Sequence, residues 1–71
     1  MAKNRIPRTF NRITGKMLIE TSCDQPGDIL HIYKNNCGTG YFALNTRTGK
    51  YIYVYASMLR DAAIFELIEI V

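Results

Sequence analysis

The first sixteen residues of this 71-residue chain contain no acidic side chain, and no apolar run anywhere exceeds the six residues from Tyr51 to Ala56. A helix crossing a bilayer needs about 20 apolar residues, so none is expected here. The basic N-terminus has the charge of a secretory leader. The apolar stretch that should follow is only Met17, Leu18 and Ile19, however, before Glu20 interrupts it. A cytoplasmic protein is expected, with no membrane partner.

Cysteine and histidine are scarce as well. Cys23 and Cys37 flank an expected strand, which at about 3.3 Å per residue holds them on the order of 20 Å apart. A disulfide needs α-carbons within about 7 Å, so two free thiols in a reducing compartment are expected. No Cys-x-x-Cys pair accompanies His31, the single histidine, which excludes the usual metal spacings. Ser22 reads as a loop residue and Ser57 as a helix cap, while Asp24 and Asp28 flank a turn where Asx hydrogen bonding accounts for them. With no nucleophile beside a base, neither a catalytic residue nor a cofactor is expected. Gly38-Thr39-Gly40 precedes no helix that could aim at a phosphate, and Gly15-Lys16 is followed by Met17 where a P-loop requires Ser or Thr.

What the sequence does contain is unevenly placed charge. Lys3, Arg5, Arg8, Arg12 and Lys16 make the first sixteen residues +5; from Met17 onward four cations meet six acids, so the overall +3 conceals a remainder at −2. At 100° per residue Ile6, Phe10, Ile13 and Met17 fall within a sector of about 60°, and Arg5, Arg8, Arg12 and Lys16 within a separate one of about 80°. That is the pattern of a basic amphipathic helix. Thr9, Asn11, Ile13 and Thr14 are weak helix formers, and Gly15 closes the segment. Residues 1–15 therefore read as a basic arm, either extended or a short amphipathic helix, ahead of a domain at 16–71.

Within that domain, β-type runs alternate with turn residues. Strands are expected at Lys16–Ser22, Asp28–Lys34, Gly40–Thr46, Lys50–Ala56 and Ile64–Val71, with a helical turn over Met58–Ala62 capped by Ser57. The Asn45–Gly49 loop suits a hairpin built on a type I turn with Gly49 in the left-handed region. The expected fold class is mainly β, a small five-stranded barrel. Pro26-Gly27-Asp28, Gly38-Thr39-Gly40, Thr48-Gly49 and the Ser57–Ala62 turn together resemble the SH3-like barrel superfold, including its KOW and Tudor-type modules. The resemblance covers roughly residues 16–71. That superfold hosts nucleic-acid binders, peptide binders and structural modules alike. Size and texture also resemble the small accessory proteins that bacteriophages encode, which implies a bacterial cytoplasm during infection and a host protein as target.

Two features carry the functional expectation. Alternation along the fourth strand places Tyr51, Tyr53 and Tyr55 outward and Ile52, Val54 and Ala56 inward. Exposed rings beside cations stack bases while the cations hold phosphates; the same rings equally suit cover by a docked arm or a partner subunit. A nucleic-acid interface is expected to use Lys3, Arg5, Arg8, Arg12, Lys16, Arg47 and Lys50 with the three tyrosines. The alternative is a protein interface formed by the apolar side of the arm, Ile6, Phe10 and Ile13, and by Ile68 and Ile70 of the last strand. That strand is apolar on both faces, so a covering layer or a homodimer is expected.

Overall fold

Alternating inward and outward side chains set the strands of the computed structural model, which describes residues 3–36 and 38–71. They are β1 (Ile13–Met17), β2 (Ile29–Lys34), β3 (Tyr41–Asn45), β4 (Tyr51–Val54) and β5 (Phe65–Ile70), with the short helix α1 (Ala56–Arg60) between the last two. The expected Cys23–Cys37 separation involves Cys37, which lies outside the described residues; Cys23 is free and exposed.

All five strands join one antiparallel sheet in the order β4-β3-β2-β1-β5. The expectation of a mainly β, five-stranded fold with a helical turn before the last strand holds. Closure into a barrel is not observed: pairing ends at β4 on one side and at β5 on the other. Antiparallel partners project to the same side, so the register assigns the faces. Ile13, Ile32, Ala43 and Ile52 form one inward row, and Met17, Phe65, Leu30 and Val54 extend it. With Leu59 of α1 closing one end, these side chains form the core.

β1 begins three residues earlier than expected and ends five earlier. Its buried positions are Ile13, Gly15 and Met17, so the glycine read as a segment boundary is an inward-facing strand residue. A Cβ at Gly15 would lie 3.2 Å from the Ile32 Cδ1, which explains why nothing larger stands there. Beyond Met17 the chain turns away instead of continuing to Ser22. The Thr21 hydroxyl accepts the backbone N–H groups of Cys23 and Asp24, fixing a turn that no strand could share.

β5 resolves the puzzle of a strand apolar on both faces. Thr14 pairs with Glu69 but Gly15 with Leu67, leaving Ile68 as the extra residue of a bulge. The slip shifts the phase, so Phe65, Leu67 and Ile70 all lie opposite inward residues of β1. α1 starts earlier than expected, after Tyr55, whose backbone is extended and whose side chain makes no capping bond; Ser57 is inside the helix and is not its cap.

Gly40, at φ +102°, has no room for a side chain: a Cβ would strike the Tyr53 hydroxyl and come within 3.1 Å of the Val54 carbonyl. Left-handed strain plus this clash make Gly40→Ala cost about 2–3 kcal/mol, read as a lower urea midpoint. A loss below about 0.5 kcal/mol would mean the 38–40 turn is free to move.

Candidate nucleic-acid interface

Residues 3–12 form no helix. They run in extended and bent conformation across the inner face and dock by both backbone and side chain. The Asn4 amide donates to the Leu59 and Phe65 carbonyls at 3.0 and 2.9 Å and its backbone N–H to the Arg60 carbonyl, and the backbone of Lys3 forms an isolated antiparallel β-bridge with that of Asp61. Ile6 and Phe10 pack on the core, Phe10 meeting the Tyr41 ring at 5.9 Å. At its far end the arm exchanges backbone hydrogen bonds with Val71. The apolar side of the arm is thus spent on the protein's own sheet. Ile13, expected at a protein interface, is fully buried in the core and cannot face a partner.

Docking sorts the arm's cations. Arg12 pairs with Glu69 at 3.2 Å, and Lys16 stands directly across from Glu66 in the β1–β5 register. An exposed pair such as Arg12–Glu69 contributes about 0–1 kcal/mol, but it cancels charge locally. Lys3, Arg5 and Arg8 remain at the surface, with no ion pair among the described residues.

The outer face is aromatic toward β4. Tyr33, Phe42 and Tyr53 stand in one cross-strand row, and His31, Leu44 and Tyr51 in the next. Tyr53 is the hub: Phe42 and Tyr55 meet its ring edge-on at 5.8 and 5.1 Å, and its hydroxyl donates to the Thr39 carbonyl. Tyr51, Tyr53, Tyr55 and Phe42 are 63%, 41%, 62% and 42% exposed. The docked arm reaches Tyr41 on the other side of β3 and leaves this patch open. Phe42 belongs to the patch yet was not anticipated; its register position opposite Tyr53 is the signal, and that register depends on the hairpin.

Lys50 is exposed at the hairpin beside Tyr51. Arg47, expected beside it as a phosphate contact, is held instead by Asp28, its Nε and Nη2 donating at 2.7 and 3.0 Å. Asp28 belongs to a buried polar cluster with Asp24 and Asn45. The Asn45 amide donates to Asp24 at 2.7 Å and to Asp28 at 2.9 Å, while its carbonyl oxygen accepts from the Arg47 and Thr48 backbones. Arg47, Asn45 and the Gln25 N–H together hold the Asp28 carboxyl well below the usual carboxylate range. The turn reading of Asp24 and Asp28 captured their local bonds but not this cluster, which joins residues about twenty positions apart.

On the inner face, a recess of about 270 Å³ lies between the arm and the sheet, lined by Ile6, Arg8, Phe10, Lys34, Tyr41 and Arg60 among others. Among the described residues, no group of three or more His, Cys, Asp or Glu could hold a metal ion, and no helix is long and apolar enough to cross a membrane. No protein-family model, curated protein or solved structure matches the chain.

Proposed function

We propose that the protein is a non-enzymatic module that binds single-stranded nucleic acid across the outer face of β3 and β4. The observation that carries this reading is the aromatic patch left open by an arm docked on the opposite face. Rings tied edge-on to one another are pre-organised, so little rotamer entropy is lost when a base stacks on them. Lys50 supplies a phosphate contact at the patch, and exposed Arg5 and Arg8 add longer-range attraction. The strand order, with a helical turn between β4 and β5, supports the finer assignment to an SH3-like fold.

Fluorescence anisotropy with labelled single- and double-stranded oligonucleotides over a salt series tests it. Single strands are expected to bind more tightly than duplex, with a dissociation constant below about 10⁻⁴ M at low salt and log K falling linearly with log salt. Lys50→Gln should reduce that slope by about 0.7. Absence of binding at low salt overturns the proposal.

A second reading, protein binding at the sheet edge, draws on Ile68, Ile70 and Val71, which are 54%, 44% and 55% exposed along and beyond β5. A lone edge strand bearing apolar side chains is a template for strand addition, by a partner protein or a second copy. The arm's Ile6 and Phe10 take no part in it while docked.

A further inference from the structure

The recess between arm and sheet gathers three cations from three separate segments: Arg8 from the arm, Lys34 from the end of β2 and Arg60 from the last turn of α1. Among the described residues no acid lines it, and none of the three has an ion-pair partner. Two cations outside the recess are neutralised, Arg12 by Glu69 and Arg47 by Asp28. Like charges lining one recess leave it electropositive, which favours an anion there. Lys34 is moreover held at the recess, its Nζ 3.4 Å from the Arg8 carbonyl, which leaves donors free for a ligand.

The wall beside the cations is aromatic. Phe10 and Tyr41 are partly buried, their rings 5.9 Å apart and tilted by 31°, and Ile6 extends the apolar surface. Three cations drawn from three separate segments suit a phosphate with several charged oxygens better than a single carboxylate. Ligand pockets usually span about 300–1,000 Å³, so a recess of 270 Å³ suits one small ligand.

We infer that this recess is a mononucleotide site, with a phosphate held by Arg8, Lys34 and Arg60 and a base against Tyr41 and Phe10. It is on the opposite face from the patch proposed to stack a strand and does not depend on that reading. The nucleotide can be a free nucleoside monophosphate or the phosphorylated end of a strand.

Amide NMR of the full chain titrated with adenosine 5′-monophosphate tests the site. Saturable shifts are expected at Arg8, Lys34, Tyr41 and Arg60, with adenosine and inorganic phosphate each binding at least tenfold more weakly. All three cations are exposed, so Lys34→Gln with Arg60→Gln should keep the native spectrum and weaken the monophosphate at least tenfold. A 5′-phosphorylated oligonucleotide binding tenfold tighter than its 5′-hydroxyl form, with the difference lost in that double variant, identifies a strand end; equal binding of the two identifies the free nucleotide. Unchanged resonances up to millimolar monophosphate overturn the inference, as does a double variant that binds it like wild type. If those negative results coincide with retained single-strand binding and shifts confined to Tyr51, Tyr53 and Tyr55, the outer-face proposal stands without it.

Discussion

Asn45→Ala is expected to lower the unfolding free energy by about 3 kcal/mol, measured by urea denaturation at neutral pH. The side chain is fully buried and makes four hydrogen bonds, two of them to the carboxylates of Asp24 and Asp28. Alanine removes donors from two carboxylates with almost no access to water, and an unsatisfied charged group costs more to bury than a neutral one. A domain of this size has on the order of 5 kcal/mol in total, so most of its stability depends on one amide. Asn45→Asp keeps the shape but substitutes a third carboxylate for the donor, and should be worse. A loss below about 0.5 kcal/mol for Asn45→Ala would mean that water replaces the amide.

The same cluster ties stability to pH through Asp28. Arg47, then Asn45, then the Gln25 N–H depress the Asp28 carboxyl below its ordinary value of 3.8. A depressed folded-state value means that the contribution is complete above about pH 4 and is lost as pH falls through the folded value. Arg47→Gln removes the largest cause. Its acid-unfolding midpoint should therefore move upward toward the ordinary aspartate value, with little change in shape at neutral pH.

The second large effect concerns binding. Tyr51→Ala with Tyr55→Ala is expected to weaken single-stranded oligonucleotide affinity by at least thirtyfold, since each stacked base is worth about 1–3 kcal/mol. Both rings are well exposed and Tyr55 caps α1 through its backbone alone, so the main structural loss is the Tyr53–Tyr55 edge contact and the thermal midpoint should fall by only about 5 °C. Tyr53 is the wrong choice for this test, because its hydroxyl anchors the Thr39 carbonyl and its ring end fills the space beside Gly40. Unchanged affinity in the double variant, with binding otherwise intact, would transfer the interface away from the patch.

Local signals located most of the elements. Turn chemistry at Pro26-Gly27 and Thr48-Gly49 bracketed strands correctly, because those residues act through their own φ values, +94° at Gly27 and +73° at Gly49. Period-2 alternation named the outward tyrosines of β4. What alternation could not reveal was anything decided between strands. The β5 bulge changes phase in mid-strand, the inward Gly15 is explained only by Ile32 across the sheet, and Asn45 looked like a turn residue because its carboxylate partners are distant in sequence. For the arm, the 3.6-residue period misled in form and in part in content. Ile6 and Phe10 do pack on the core, as the apolar side of a helix would, but in an extended strap Arg8 lines the same recess as they do.

The strap also dictates an order of assembly. Its anchors lie far along the chain: Asn4 reaches Leu59 and Phe65, Asn11 and Arg12 reach Val71, and β1 needs β5 beside it. Closing loops of that length carries an entropy cost before any contact returns it, whereas β2, β3 and β4 are joined by short turns and can pair early. Contact order therefore favours the meander as the part that pairs first, with the arm, β1 and β5 joining after it. Until they do, the inner row from Leu30 to Val54 is open to water and to other chains, which makes the moment before strap closure the point at which this protein is most exposed to misassembly.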